Sequence, residues 1–438
     1  MRRFVAVSVV PTVLLACNHP VGKDAPSDSS IPGDTAMTGV DSGDTSTSFP
    51  CTATGDALEG TFFAQGTSVS GTLAACNGVT HVTAGAGNSH LSVTLTAWSG
   101  DAPTLTVSDG GGHSLLPAGA LQPNVPVDVQ LWQSGEVMLR LDPPDSGAHA
   151  YTLAVGCTSG CDQAYTRYPI ILMHGMGGSE AFNGVDYFYN VRATLEAKGY
   201  LVRNPSVAAF ATTEERAGEW ATEIDAMQAE GLGRKFFLIA HSQGGLDARY
   251  LISNLGYSDR VVALDMVATP NDGTVVADVL SGTITDGYVD PAIVDAGAAA
   301  FAAMFGLDAT DASLSTAMNA LTTATLTSFN TSTPDDPGVY YSSWSGHSCD
   351  ALDFTCQDAH GGEVIEPLMA PLLWIMAAYG LDSDGLVPTD SAKWDDWQGE
   401  INGDHLDEIG QFQDVDNPAF NHLDFYTSEV ERLAGMGF

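Results

Sequence analysis

Basic side chains are scarce in this chain: 15 Lys and Arg stand against 54 Asp and Glu, a formal net charge of −39. That scarcity excludes nucleic acids and other polyanions as partners, because neutralising phosphates takes a basic surface that this composition cannot build. Internal repeats and nucleic-acid-binding motifs are absent as well. Charged residues of both signs make up only 16% of the sequence while 44% is hydrophobic, so the chain has the material for a packed core. The acidity itself reads as a solubilising surface, suited to high salt or divalent cations. At 438 residues the length exceeds that of a usual single domain, and two folded units are expected.

Arg2 and Arg3, followed by the apolar run at 4–15, read as an export signal whose hydrophobic stretch is too short to persist as a spanning helix. The run ends in Leu14-Leu15-Ala16-Cys17, which resembles the lipobox of bacterial lipoproteins. That resemblance implies removal of residues 1–16, acylation of Cys17, and an exported protein that is membrane-anchored at the cell envelope or secreted. Residues 17–49 are rich in Ser, Asp, Thr, Gly and Pro with little to bury, and are expected to form a disordered tether. Cys51, Cys76, Cys157, Cys161, Cys349 and Cys356 follow, an even set that in an exported chain points to disulfides. Cys349 with Cys356 is the preferred local pair. The spacing of Cys157 and Cys161 suits structural bonding better than half a metal site, since no matching His or Cys cluster lies nearby.

Between residues 50 and 162 the segments 90–97, 104–107, 137–141 and 151–155 mostly alternate apolar and polar residues between Gly and Pro punctuation. This is strand patterning without helices, and a small all-β, sandwich-like domain is expected, with 151–155 its last strand. Its role is that of a spacer or stabilising unit, with carbohydrate or surface binding as the alternative. From 163 to 438 continuous apolar strands alternate with helical stretches, the pattern of a mainly parallel sheet with helices on both faces. An α/β fold of the α/β-hydrolase type follows.

The apolar strand at 169–173 runs into His174-Gly175-Met176-Gly177-Gly178, a turn where the backbone can approach a ligand and present amides. A second strand at 235–240 leads directly to Ser242 and then to a helical stretch at 246–254. Strand, sharp turn and helix are the setting of a nucleophile elbow, which lifts a Ser hydroxyl above the sheet and tolerates only small residues two positions to either side. Ala240 and Gly244 meet that demand, although Ala replaces the commoner Gly. The amides of Gln243 and Met176 stand where an oxyanion hole would form. A Ser nucleophile needs a His to accept its proton and a carboxylate to hold that His, in the chain order Ser, Asp, His for this fold. Asp384, in Ser383-Asp384-Gly385-Leu386-Val387-Pro388, is the best carboxylate and Asp382 its neighbour and competitor. Downstream lie His405 and His422, and spacing alone does not separate them.

Several of these blocks, the strand into His174-Gly175, the elbow with Arg249-Tyr250, Thr269-Pro270, the Asp384 turn and the segment at 405–409, resemble those of the bacterial true lipases of the Pseudomonas and Burkholderia type. The similarity runs from about residue 165 to 438. It implies His405 as the base in place of His422, and a triacylglycerol lipase or other carboxylic ester hydrolase working on lipid or ester substrates. It also implies a structural calcium ion held by Asp407 and by the main-chain carbonyls of Gln411 and Val415. The family's second aspartate has no clean counterpart, Glu363 and Glu366 being the nearest acids and Glu366 the substitute ligand. The region at 280–330, with apolar helices at 298–306 and 314–321, corresponds to the family's mobile lid. The family's cysteine after the Asp motif is missing here, and residues 1–167 fall outside the resemblance. A dedicated foldase is a candidate partner, and a monomer is expected. A short-chain esterase, polyester depolymerase or acyltransferase would use the same triad, and a catalytically silent surface or adhesion protein could keep the same fold.

Overall fold

The computed structural model describes residues 60–73, 77–178, 181–182, 185–307, 312–354, 365–411 and 420–438. Cys17 with the signal and tether segments, Cys51, Cys76, Cys356, Glu363 and Val415 lie outside the described residues. The described part belongs to one unit, residues 49–438.

Alternating β-branched and polar residues build the first region as strands β1 (Thr61–Phe62), β2 (Thr67–Leu73), β3 (Val79–Gly85), β4 (His90–Trp98), β5 (Thr104–Asp109), β6 (Ser114–Ala120), β7 (Val127–Gln130), β8 (Gly135–Asp142) and β9 (His149–Ser159). They form a five-stranded sheet of order β1-β3-β8-β5-β6 and a four-stranded sheet of order β2-β9-β4-β7. In β4 the buried positions are Leu91, Val93 and Leu95, every second residue, and they meet Leu105, Leu139 and Leu153 in a separate apolar core between the sheets. Cys157 and Cys161 form a disulfide at the end of β9. Cys349 is also disulfide-bonded, and its expected partner is outside the described residues.

The second region is built on β10 (Ile170–Met173), β13 (Val202–Arg203), β14 (Phe236–His241), β15 (Val261–Val267), β16 (Tyr340–Gly346) and β17 (Asp396–Ile401), with a short hairpin of β11 (Ala181–Phe182) and β12 (Val185–Asp186) beside it. The sheet order is β13-β10-β14-β15-β16-β17, and every pairing is parallel. The central strands β10 and β14 are fully buried and almost wholly apolar because both their faces are covered, while the edge strand β17 is polar and largely exposed. Ile170, Leu172, Phe237 and Ile239 point into one core, with residues of α1 (Val191–Ala197) and α10 (His422–Met436). Ile171, Met173, Phe236, Leu238 and Ala240 point into the other, with α2 (Thr213–Ala229) and α3 (Gln243–Ser253). This is the α/β-hydrolase arrangement expected from the sequence.

Strand order decides where a site can form. The chain runs from β10 outward to β13 and then returns to β14 on the other side of β10, so the crossovers diverge above the carboxyl ends of β10 and β14. A crevice opens at such a switch point. Residues of α4 (Val275–Leu280), α5 (Pro291–Met304) and α6 (Ala312–Ala320) line it, α7 (Thr323–Ser332) follows, and α8 (Ala370–Ala378) and α9 (Thr389–Ala392) flank the Asp384 turn in the chain. Among the described residues no helix is long and apolar enough to cross a membrane.

Candidate active site

Ser242 sits between β14 and α3 with φ 56° and ψ −130°, a conformation that non-glycine residues avoid. The surroundings enforce it. A Cβ on Gly244 would come within 2.5 Å of the Met173 carbonyl oxygen, and one on Gly175 within 2.7 Å of the Ser242 Cβ. Only glycine fits at either position, so the turn after β10 and the elbow after β14 pack backbone to backbone. Met176, on the turn after β10, lines the same cavity as Ser242, and Gln243 follows Ser242 directly in the chain. Gln243 is the first residue of α3, where helical geometry leaves the N–H unsatisfied.

His405 and Asp384 are brought together. His405 Nδ1 lies 2.8 Å from Asp384 Oδ2, and the His405 amide donates to the Asp384 carbonyl at 3.0 Å. Asp384 Oδ1 accepts the amides of Leu386 at 2.8 Å and Val387 at 2.6 Å, which fixes the fully buried carboxylate as an acceptor. His405 Nδ1 is therefore the donor, and Nε2 carries the lone pair. Ser242 and His405 line one cavity with Met176. Asp382 turns elsewhere and accepts the Ala351 amide at 2.6 Å. His422 is drawn away too: Asn421 caps α10 by accepting the Asp424 amide, and the His422 ring bonds the Tyr189 carbonyl at 2.8 Å.

The cavity is mainly apolar. Phe301 and Met304 of α5, Phe305 just after it, and Met318 of α6 line it opposite Ser242, and the space open to a water-sized sphere is about 40 Å³. A Cβ on Gly177 would meet the Phe305 ring at 2.0 Å, so that ring rests directly on the turn carrying Met176. Phe305 also stacks edge-on with Phe210 and Phe301.

Three groups at the site have no sequence-level signal. Arg216, fully buried on α2, donates to Asp247 Oδ2 at 2.7 Å and to the His174 carbonyl at 2.6 Å, tying α3 to the turn after β10. Burial pushes Asp247 up to about 6 despite Arg216 and Trp220 beside it. Glu408 Oε2, also buried, lies 2.8 Å from His241 Nε2 and 3.5 Å from His405 Nδ1. Tyr187 closes the chain with its hydroxyl 2.9 Å from His241 Nδ1. Burial, reinforced by the neighbouring His405, holds His241 neutral far below its ordinary value. His174 is likewise pushed down to about 3 by burial and then by Arg216, its Nε2 accepting the Val207 amide.

Of the expected cation ligands, Asp407 and Gln411 fall on the segment that carries His405, Glu366 lies before α8, and Val415 is outside the described residues. Asp407, buried, accepts the Asp404 amide through Oδ2 at 3.1 Å, and the Glu366 amide donates to Asp404 Oδ2 at 3.1 Å. Gln411 uses its side-chain amide to bond the Asp186 and Tyr187 carbonyls, at 2.8 and 2.7 Å. Asp404 and Asp407 bring two buried carboxylates to this turn, both accepting backbone amides, and burial raises Asp404 above its ordinary range. Carboxylate oxygens are the donor type a hard cation prefers.

Among curated proteins, a triacylglycerol lipase of Vibrio cholerae is 28% identical over 288 residues, covering 62% of this chain and 82% of its own. A triacylglycerol lipase of Burkholderia plantarii is 30% identical over 203 residues, 44% of this chain and 55% of its own. The chain is thus similar in sequence to proteins named triacylglycerol lipase. No protein-family model matches it. Among solved structures, EstA from Clostridium botulinum is similar at 20% identity, covering 62% of this chain and 88% of that one with a TM-score of 0.45.

Proposed function

We propose that the chain is a serine lipase that hydrolyses long-chain acylglycerols through a Ser242, His405, Asp384 triad. Ser242 Oγ attacks the ester carbonyl carbon while His405 Nε2 takes its proton, and the Asp384 carboxylate stabilises the imidazolium through Nδ1. The Met176 and Gln243 amides receive the oxyanion. Collapse of the tetrahedral adduct expels the alcohol, protonated by His405, and leaves an acyl-Ser242 ester that water cleaves by the same steps. The observation that carries this reading is the Asp384 to His405 hydrogen bond at 2.8 Å beside a Ser held at φ 56° in one apolar cavity.

The helices α5 and α6 act as a lid whose apolar inner face covers the acyl site until a lipid surface replaces it. A calcium ion held by Asp407 and the Gln411 carbonyl, with Val415 and Glu366 as further ligands, braces the His405 turn. Cys17 carries the lipid anchor that keeps the exported chain at a membrane. The second reading is a short-chain esterase, favoured by the small free volume of the cavity. Hydrolysis rates over p-nitrophenyl esters of increasing chain length, soluble and emulsified, separate the two. A rise with chain length at an emulsion supports the lipase, and a profile that falls beyond short chains refutes it. Removal of calcium by EDTA lowers the melting temperature if the ion is present. Palmitate labelling that persists in Cys17→Ser contradicts the anchor.

A further inference from the structure

The β-sandwich carries a second cleft, far in character from the acyl site. It opens beside the loop between β7 and β8, where Leu131, Trp132, Gln133 and Ser134 follow one another. Trp132 leaves 69% of its surface exposed, an unusual position for the largest apolar side chain. The loop holding it is anchored on both sides. Leu131 is buried in the sandwich core and bonds Ser89 and Asn88 through its backbone, while the Ser134 hydroxyl accepts the Gly87 amide and donates to the Gly199 carbonyl. Trp132 is thus presented outward by a fixed backbone.

Beside the indole lies a cleft whose open space is about 320 Å³, within the range of roughly 300–1,000 Å³ typical of ligand pockets. Leu115 and Val137 supply an apolar floor, and His113, Ser114 and Gln133 supply polar edges. Two carboxylates also border it, and both are committed. Asp109 accepts from His113 Nδ1 and from the amides of Gly111 and His113. Glu136 bridges Arg167 at 2.8 Å and Arg234 at 2.7 Å, which ties the sandwich to the parallel-sheet region. With Glu136 paired to two arginines and both Asp109 oxygens already hydrogen-bonded, the cleft offers an aromatic face, apolar residues and the polar groups of His113, Ser114 and Gln133. Such a surface selects a neutral, hydroxyl-rich ring with one apolar face.

We infer that the Trp132 cleft is a carbohydrate-binding site, in which a pyranose stacks its C–H face on the Trp132 indole and directs hydroxyls toward His113, Ser114 and Gln133. The ligand class is a neutral polysaccharide. An anionic glycan is disfavoured by the acidic surface, and a quaternary ammonium headgroup finds no uncommitted carboxylate there.

The test uses the full chain in native gels that contain neutral glucans, xylans, mannans or galactans, with Trp132→Ala and Trp132→Phe as variants. The expected result is retardation by at least one polysaccharide, weakened roughly tenfold or more in Trp132→Ala and partly restored in Trp132→Phe, because a buried aromatic face contributes on the order of a kcal/mol or more. Hydrolysis of a soluble p-nitrophenyl ester stays unchanged in both variants and reports that the fold is intact. Migration unaffected by every polysaccharide overturns the inference. So does retardation that survives Trp132→Ala, or Trp132-dependent flotation with phosphatidylcholine vesicles in the absence of any polysaccharide effect.

Discussion

Replacing Asp384 by Asn changes one oxygen to an NH2 group, and the hydrogen bonds around that carboxylate fix which oxygen must be lost. Oδ1 accepts the Leu386 and Val387 amides, so an NH2 in its place would set donor against two donors. The amide nitrogen is therefore forced to the Oδ2 position, facing His405 Nδ1 at 2.8 Å. His405 must then turn a lone pair to Nδ1 and carry its proton on Nε2, the tautomer that cannot take the Ser242 proton. A wrong-tautomer defect of this kind costs about 10⁴-fold in kcat, roughly 5.5 kcal/mol of barrier. Asp384→Ala imposes no such inversion. Glu408 Oε2 lies 3.5 Å from His405 Nδ1, and a shift of under an ångström makes it the acceptor. The expected loss is then nearer 10²-fold, together with about 1–3 kcal/mol of stability for each stranded amide at 386 and 387. Initial rates on a soluble p-nitrophenyl ester, normalised to folded protein by circular dichroism, decide it. An Asn variant as active as the Ala variant would show that residue 384 does not set the His405 tautomer.

Arg216→Met leaves Asp247 buried without its cation and strips a donor from the His174 carbonyl, so a loss of about 3–5 kcal/mol is expected in urea denaturation. His174 is pushed down to about 3, so the unfolded chain binds a proton that the folded chain refuses. The stability it contributes is complete above its unfolded value near 6.5 and is lost as pH falls toward 3, at about 1.4 kcal/mol per pH unit. Denaturant midpoints against pH test this, and the slope on that limb should shrink in His174→Asn; Asp247, raised to about 6, works in the opposite sense and remains in both proteins. Phe305→Ala removes the ring resting on Gly177, and activity on a soluble ester should rise about fivefold, the factor for roughly 1 kcal/mol of lost closing energy.

Features fixed by neighbours in the chain were legible in the sequence. The elbow, the turn after β10 and the alternating strands of the sandwich are local patterns, and each formed where the pattern stood. Choosing His405 over His422 needed resemblance, because the deciding contact joins Asp384 to a turn beyond β17. One local signal did bear on it: the Asn421 cap starts α10 at His422 and commits that residue to the helix. The helix expected at 298–306 begins at Pro291, since Asp290 caps it and Pro suits its first turn. Arg216 with Asp247, and His241 with Glu408, were out of reach. Their partners are separated by 31 and 167 residues, and the meaning of each polar side chain depends on what the fold packs against it.

Ester hydrolysis by this site requires Ser242 to be an activated nucleophile. Treatment with a fluorophosphonate probe followed by peptide mass spectrometry tests that directly. Stoichiometric labelling of Ser242, abolished in His405→Ala and retained in His422→Ala, is the predicted result. An unlabelled Ser242 in folded protein, or labelling that survives His405→Ala, would contradict it.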